Sequence, residues 1–395
     1  MYLRHTDKPT RLGDAMRIGI EGKVLGWHGS GIGRYATSLT RALLREAVGR
    51  DKDCTFVIFT GPQTSQDALT GCQGAYYQHA VPFKSSLLRS LISLPLALRR
   101  EHIDVFHGLD HIGIPLVGRY SRYVATIHDV IPLLFPHLFT VKHRWVIRVA
   151  LARIAQQAER IIVPSHAVRE DVEHYLRVPT DRLVVIPEGC DPRFVPTTDF
   201  SRLSQVQRRY SLPAQYILFL GTLEPRKNLP TLLQAFAYLR QRKAIDPAWR
   251  LVLAGARGWR KESIFRTIKS LKLEDVVCLP GFIAEQDLPD VYRGAALFVF
   301  PSLYEGFGLP VVEAMGSGVP VITSNTSALP EVAGDAALLI DPHDVDSLAE
   351  AMQQMLRDED LRAHLREKGL KQVQKFSWEV AARRTLELYV DIGNQ

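Results

Sequence analysis

Two glutamates, Glu305 and Glu313, stand eight positions apart around a glycine-bearing turn. The run ALFVFPS before the turn predicts a strand, and PVVEAMG after it predicts a helix. A strand that enters a helix through glycines presents backbone N–H groups at the positive end of the helix dipole, where they can hold a phosphate. We expect Phe307, Gly308 and Leu309 to supply these groups. Glu305 would then face a sugar and Glu313 a ribose, because carboxylates accept hydrogen bonds from hydroxyls.

The elements that must position these residues alternate along the chain. Short apolar, β-branched runs are followed by longer helical patterns, an order typical of parallel sheets covered by helices. A polar, proline-marked stretch at 191–199 interrupts the order, which restarts at YILFLGTL. We therefore expect an α/β protein of two doubly wound, Rossmann-like domains, 1–190 and 191–376, facing a central cleft. A final helix at 377–395 either stays with the second domain or crosses back to the first.

Length and composition agree with a soluble two-domain protein. The chain has 395 residues, of which 46% are hydrophobic and 23% charged, and a single core rarely grows that large. No apolar run approaches the roughly 18 residues that cross a bilayer. The four cysteines are far apart, which argues against a disulfide framework or a structural zinc site. The first residues lack a secretory signal pattern, so we expect a cytoplasmic protein.

The net charge of +7 is concentrated in the first half of the chain. Residues 1–190 hold 24 Lys and Arg against 17 Asp and Glu, whereas residues 191–395 hold 25 of each. Two leucine-rich segments, 83–100 and 141–158, carry basic residues and no acid. No nucleic-acid signature accompanies this charge, which favours an anionic membrane surface as the partner. The alternative is that both segments are ordinary amphipathic helices with arginines in solvent.

The stretch EGFGLPVVEAMGSGVPVITSN resembles the E-x7-E signature of the GT-4 glycosyltransferases. The resemblance extends to FLGTLEPRKNLPTLLQAF, SHAVRED and PEGCD, and covers the chain from about Gly19 to Tyr389. It implies a GT-B fold and a retaining transferase that takes a sugar from a nucleotide diphosphate donor. A lone pair of glutamates at this spacing is more often a helix cap and a solvated side chain; the surrounding motifs favour the functional interpretation.

The resemblance also implies roles for individual residues. Arg226 and Lys227, on the loop after YILFLGTL, would neutralise the donor diphosphate, although such a dipeptide is usually a solvated turn. We expect Lys227 and Glu305 to lie on exposed loops. Thr222 stands where many relatives have an arginine, so we expect Arg226 to supply that charge. The catalytic set is then His128, Glu305, Arg226 and Lys227. The other donor-binding positions are Gly221, Thr222, Gly281, Phe282, Gly306, Phe307, Gly308, Leu309 and Glu313.

In the first domain, GSGIGRY resembles the family's glycine-rich loop on the acceptor side, with Gly31, Gly33 and Arg34 as its members. Glycines there would let a substrate approach the backbone. The loop is not a dinucleotide fingerprint, because Arg34 occupies the place of the third glycine. His128 in ATIHDV matches the family histidine beside the reacting sugar, although a lone histidine at a strand end is more often structural.

Two patterns imitate metal sites, and we expect neither metal nor cofactor. Asp344 and Asp346 form a D-x-D, but they open a predicted helix in which Asp346 is a natural N-cap. His107 and His111 have helical i, i+4 spacing, but the strand IDVF and Gly108 make a zinc-binding helix improbable.

The segments TIHDVIPLLFP and GTLEPRKN look most like bacterial mannosyltransferases of surface polysaccharide assembly. The resemblance therefore favours transfer of mannose from GDP-mannose to a glycan or lipid-linked acceptor at the inner face of the cytoplasmic membrane. A UDP-sugar or a GDP-deoxysugar is the alternative donor. An epimerase or phosphorylase of the same fold, and a catalytically silent scaffold in an assembly complex, are the rival functions.

Overall fold

The computed structural model describes residues 15–27, 29, 31–48, 54–62, 64–65, 67–72, 76–82, 85–197, 199–256, 258 and 262–394. The chain divides into two compact units. Unit 1 comprises the described residues up to Glu188 together with those from Trp378 onwards, and unit 2 runs from Gly189 to Ser377.

Unit 1 is built on a parallel sheet of seven strands in the order β3-β2-β1-β4-β5-β6-β7. The strands are β1 Met16–Glu21, β2 Cys54–Thr60, β3 Tyr76–Ala80, β4 Val105–Gly108, β5 Arg122–Thr126, β6 Ala158–Val163 and β7 Leu183–Val185. Its helices before the boundary are α1 Gly31–Val48, α2 Ser86–Leu88, α3 Leu94–Arg100, α4 Ile131–Leu134, α5 Val141–Gln157 and α6 His166–Leu176. The central strands carry buried side chains on successive positions, as in sheets covered on both faces.

The leucine-rich segment introduced above is helical from Ser86 to Arg100, in three pieces. A five-residue π-helical stretch, Arg89–Ser93, separates α2 from α3. Arg89, the first residue of this stretch, is buried, whereas both interpretations of the segment placed its arginines at the surface. Its guanidinium pairs with Glu21 at 2.8 Å and donates to the Phe59 and Val81 carbonyls. These carbonyls lie at and just beyond the carboxyl ends of β2 and β3, so Arg89 holds that edge of the sheet together.

Unit 2 has a parallel sheet of six strands in the order β10-β9-β8-β11-β12-β13. The strands are β8 Tyr216–Leu220, β9 Arg250–Ala254, β10 Val277–Gly281, β11 Leu297–Phe300, β12 Val321–Ser324 and β13 Ala337–Ile340. The helices are α7 Phe200–Arg209, α8 Leu229–Gln241, α9 Glu262–Ser270, α10 Leu288–Arg293, α11 Leu309–Gly316, α12 Leu329–Ala333, α13 Val345–Arg357 and α14 Glu359–Gln372. Four of these helices, α8, α10, α11 and α12, begin with Leu-Pro. Proline suits the first turn of a helix because its missing N–H would lack a partner there in any case.

The final helix, α15 Trp378–Gly393, belongs to unit 1. It packs along α1, and its Tyr389 is buried with its hydroxyl 2.6 Å from His107 Nδ1. Of the two placements that the sequence allowed, the structure has the helix returning to the first unit.

Candidate active site

The candidate donor residues of unit 2 lie where its strand order reverses. From β8 the chain proceeds to β9 and β10 on one side, and from β11 to β12 and β13 on the other. Ligands of such sheets bind beyond the carboxyl ends of the strands at this switch point. Arg226 and Lys227 follow β8 on a 3-10 turn, Pro225–Lys227, and Glu305 follows β11. The fold therefore brings together the three residues that the sequence selected for the diphosphate and the sugar.

Lys227 and Glu305 form a buried ion pair. Lys227 Nζ donates to Glu305 Oε1 at 2.6 Å and lies 4.8 Å from the centre of the Phe300 ring. Both residues are less than a tenth exposed, which corrects the expectation that they lie on exposed loops. The reason is that the turn after β8 folds over the end of β11, where the Leu303 N–H donates to the Arg226 carbonyl at 2.9 Å.

Arg226 also binds protein groups. Its guanidinium lies 2.8 Å from Glu305 Oε1 and 2.7 Å from Glu224 Oε1, and it donates to the Tyr304 carbonyl at 2.6 Å. Two cations and two carboxylates thus share the cluster, whose formal charge is balanced. This arrangement holds Arg226 and Lys227 in fixed positions before any substrate binds.

The pKa of Glu305 reflects these contacts. Burial alone would raise it, but the charges of Arg226 and Lys227, with hydrogen bonds from Lys227 and Ser302, lower it to about 2. The pKa of Lys227 is lowered by burial and by neighbouring Arg226, against the opposing effect of Glu305. Glu305 is therefore a carboxylate at neutral pH and can accept hydrogen bonds but not donate a proton.

Helix α11 begins next to this cluster. Its N-cap is Gly308, in the left-handed region at φ 118°, and no side chain caps the helix. An added Cβ at Gly308 would lie 3.0 Å from a Leu329 methyl carbon, so a side chain is disfavoured there by backbone and space alike. Glu313, about one turn into α11, is buried and accepts a hydrogen bond from the Tyr292 hydroxyl at 2.9 Å.

The predicted glycines of unit 2 lie at the same strand ends. Gly221 follows β8, and a Cβ added there would be 3.7 Å from Lys227 Cε. Its N–H donates to the Ala254 carbonyl, and the Gly255 N–H donates to that of Gly281 at the end of β10. Thr222 is half-buried beside Gly221, whereas the Phe282 side chain is 50% exposed.

His128 lies at the carboxyl end of β5 in unit 1. Its Nε2 is 3.0 Å from the Leu109 carbonyl oxygen, and its Nδ1 is 3.5 Å from Glu188 Oε1. Burial lowers the pKa of the ring, but hydrogen bonding to Glu188 and its charge outweigh burial and raise the pKa above its usual value. A carbonyl and a carboxylate both accept, so the two ring nitrogens suit two N–H groups, as in an imidazolium.

A buried polar chain runs beside His128. Tyr389 and Thr126 contact the two nitrogens of His107 at 2.6 and 2.8 Å, and Tyr35 contacts Thr126 at 2.9 Å. The Tyr35 ring meets His128 edge to face, with centroids 4.5 Å apart. Burial lowers the pKa of His107 to about 3, so it is neutral at physiological pH. His107 therefore ties α15 to β5.

Gly31, Gly33 and Arg34 do not form a loop, because α1 begins at Gly31. A Cβ on Gly33 would lie 2.3 Å from the Trp27 carbonyl oxygen, so the chain before α1 runs directly against the helix. The glycine in this first turn thus allows a close approach of backbone to backbone within the protein.

The D-x-D pattern contains a helix cap, but not at the expected residue. Asp344, rather than Asp346, is the N-cap of α13, and its carboxylate accepts from the Ser347 N–H at 3.0 Å. The N-cap and the start of the helix are therefore two residues earlier than predicted, which places Asp346 in the first turn of α13.

Several side chains of these clusters were not selected from the sequence, among them Glu188, Glu224, Ser302 and Thr126. Glu188 lies in PEGCD and Glu224 in GTLEPRKN, two segments that carried the family resemblance. Their position in those segments was the one sign in the sequence that they belong to the site. Ser302 and Thr126 follow or end buried strands, where the sequence alone does not reveal the partner across the sheet.

Comparison with known proteins gives the family. A model described as "Glycosyltransferase Family 4" matches residues 29–194, and one described as "Glycosyl transferases group 1" matches residues 206–372. The chain is 35% identical over 294 residues to O-antigen chain mannosyltransferase B of Escherichia coli. The aligned region covers 74% of this chain and 76% of that protein. The chain belongs to glycosyltransferase family 4.

Other similar proteins set the fold and the length in context. Serotype-specific mannosyltransferase WbdA of Escherichia coli is 33% identical over 282 residues, which is 70% of this transferase but 34% of WbdA. This transferase thus matches about a third of the length of WbdA. A structure of sucrose-phosphate synthase from Thermosynechococcus elongatus superposes with a TM-score of 0.74 at 20% identity, over 95% of this chain and 99% of that one. The fold is GT-B, as the sequence predicted.

Proposed function

We propose that this transferase moves mannose from GDP-mannose, with retention of configuration, onto a glycan carried by a lipid at the inner face of the cytoplasmic membrane. The observation that carries the proposal is the cluster of Arg226, Lys227 and Glu305 beside the start of α11, at the switch point of unit 2. The choice of mannose rests on the similarity to proteins named as mannosyltransferases.

The cluster suits a departing diphosphate. A sugar that leaves a nucleotide diphosphate transfers negative charge to the phosphate oxygens, which fixed cations stabilise best where water is scarce. Lys227 is buried and Arg226 nearly so, and the first amides of α11 have no side-chain cap. Both features favour an anion at this point.

The sugar side is assigned to Glu305, and the ribose side to Glu313. No side chain is needed as a nucleophile: the acceptor hydroxyl attacks on the face that the diphosphate leaves, and the leaving phosphate takes the acceptor proton. The protein contributes orientation and charge stabilisation. His128, with its two nitrogens facing Leu109 and Glu188, is assigned a hydrogen-bonding role rather than that of a general base.

The donor is tested by ligand-dependent melting. A ligand that binds only the native state raises the melting temperature, so GDP, UDP, ADP and dTDP are compared at equal concentration. We expect GDP to give the largest shift, and GDP-mannose to be consumed when a polyprenyl-linked glycan is added. A larger shift with UDP would mean that the donor is a UDP-sugar rather than GDP-mannose. The assignment as a transferase would stand. Binding without any turnover would favour the silent scaffold.

We further propose that transfer needs no divalent metal, because Arg226, Lys227 and the N-terminus of α11 already supply positive charge. Turnover should be unchanged in EDTA. If EDTA stopped turnover and Mg²⁺ or Mn²⁺ restored it, a metal would share the diphosphate with these groups.

A further inference from the structure

Two rows of large apolar side chains are exposed on the helices that cover one face of unit 1. On the segment from α2 to α3, Leu88, Ile92 and Leu96 follow each other at intervals of four and are 42, 48 and 63% exposed. On α5 the residues Val141, Trp145 and Val149 have the same spacing and are 65, 65 and 53% exposed. Side chains three or four residues apart lie on one side of a helix, so each row forms a stripe.

The opposite sides of the same helices fill one core. Leu94 and Leu98 of α3 and Ile147 and Leu151 of α5 are buried in a single cluster. Both helices therefore pack on the sheet through these buried residues. The exposed stripes are not needed for that packing. Soluble proteins rarely expose contiguous apolar surface of this kind, and where they do it usually marks an interaction site.

A short segment of chain joins the two stripes. The Leu116 N–H donates to the Ser90 carbonyl at 3.0 Å, and Arg153 of α5 donates to the Pro115 and Gly118 carbonyls at 3.3 and 2.6 Å. Val117, between these anchor points, is 44% exposed. We call the combined surface the apolar face: Leu88, Ile92, Leu96, Val117, Val141, Trp145 and Val149.

Basic residues surround the apolar face. Arg99 and Arg100 end α3, and Lys142, Arg144 and Arg148 are exposed on α5. Neither 85–100 nor 141–158 contains an acid. The acids that follow them are engaged elsewhere, since Glu101 is buried against Arg17 and Tyr77, and Glu159 pairs with Arg119.

We propose that the apolar face docks unit 1 on an anionic lipid bilayer. Exposed apolar side chains with an exposed tryptophan among basic residues match the boundary between headgroups and acyl chains, where aromatic rings and cations are both favourable. A second copy of the chain is a poorer occupant, because two such faces would oppose like charges. The inference extends the lipid-linked acceptor proposed above, but its test uses neither donor nor turnover.

The test is vesicle co-sedimentation of the full chain. We expect binding to vesicles that contain phosphatidylglycerol at low salt, little binding to pure phosphatidylcholine, and release at high salt, because exposed charges are screened. Each basic residue at such a surface contributes about fivefold in partitioning, so Arg144→Gln with Arg148→Gln should weaken binding about 25-fold. Leu96→Ser with Trp145→Ser should weaken it at least as much, while leaving the melting temperature unchanged.

Matched controls outside the apolar face are Phe200→Ser and Arg208→Gln, both exposed on α7 of unit 2. They should bind like the wild type. Quenching of Trp145 fluorescence by brominated lipid, absent in Trp145→Phe, gives a second readout of insertion. Equal binding to both lipids, binding to neither, or equal weakening by the controls would overturn the proposal. So would a wild-type dimer that Leu96→Ser with Trp145→Ser dissociates without any change in vesicle binding.

Discussion

At the scale of single residues, the cluster around Glu305 has to serve stability and chemistry together. Within the described part of the chain, the Lys227 ammonium pairs with Glu305, whereas the Arg226 guanidinium is shared between Glu305 and Glu224. Removal of the carboxylate leaves two buried cations with one acid. Removal of the lysine leaves Glu305 still paired with Arg226. The two losses should therefore differ in their effect on stability although both remove a group assigned to the donor.

We expect Glu305→Gln to lower the free energy of unfolding by about 3 to 5 kcal/mol, the usual cost of an uncompensated buried charge, and Lys227→Met to cost less. Both should reduce turnover at least about a hundredfold, since each removes a group that acts on the transition state. Chemical denaturation and initial rates measure the two effects. The double variant should regain stability but not turnover. Equal destabilisation by both single changes would contradict the shared role of Arg226.

The stability difference should depend on pH. The pKa of Glu305 is lowered to about 2 in the fold, from about 4.3 in an unfolded chain. Its stabilising contribution is thus complete above the unfolded value and is lost as pH falls towards the folded one. The difference in the free energy of unfolding between wild type and Glu305→Gln should therefore shrink as pH falls from ~5 to ~2. The measurement requires that both proteins unfold reversibly in that range.

The contribution of His128 to stability depends on pH in the opposite direction, because Glu188 raises the pKa of His128 in the fold. A raised histidine pKa stabilises the protein below the unfolded value near 6.5, and the effect is lost as pH rises through the folded value. Glu188→Gln should therefore destabilise the protein most below pH ~6.5 and progressively less above it. Denaturation across pH 5.5 to 9 measures this, with the exposed Glu170→Gln as control. A constant difference would mean that His128 is neutral in the fold.

At the scale of elements, the sequence predicted most of what positions the site. Runs such as YILFL and LFVF, buried at every position, are strands in the structure because only a sheet covered on both faces accepts them. The glycine turn after β11 leads into α11 as expected. The sequence did not predict that Lys227 and Arg89 are buried, since each depends on a carboxylate brought close only by the sheet order.

Helix α15 is the element whose contribution is easiest to measure. Its Tyr389 hydroxyl contacts one ring nitrogen of the buried, neutral His107, and Thr126 contacts the other. Tyr389→Phe leaves a ring nitrogen without that partner, which should lower the free energy of unfolding by about 1 to 3 kcal/mol. Tyr175→Phe, at a tyrosine that is 45% exposed on α6, is the matched control and should have little effect. Equal stability of both variants would show that the His107 contact does not hold α15.

At the scale of the whole molecule, the two units differ in how the chain builds them. Unit 2 is one continuous stretch, Gly189–Ser377, and contains every residue assigned to the donor. Its ends are held together, because the Cys190 N–H donates to the Phe376 carbonyl at 3.0 Å. Unit 1 is discontinuous, since α15 reaches it only after the whole of unit 2. Each unit has its own sheet, but only unit 2 can be cut from the chain without loss of an element.

A fragment of residues 189–377 should therefore fold cooperatively and bind the donor nucleotide without unit 1, as judged by a single thermal transition that the nucleotide shifts upwards. A fragment of residues 1–188 should lack a stable fold, because it leaves α1 without α15 and His107 without Tyr389. Joining residues 378–395 to it through a flexible linker should restore the transition, and the same addition carrying Tyr389→Phe should restore it less. If 1–188 alone melted like the joined fragment, α15 would contribute nothing to unit 1. If 189–377 folded but bound no nucleotide that the full chain binds, residues outside unit 2 would be required for the donor.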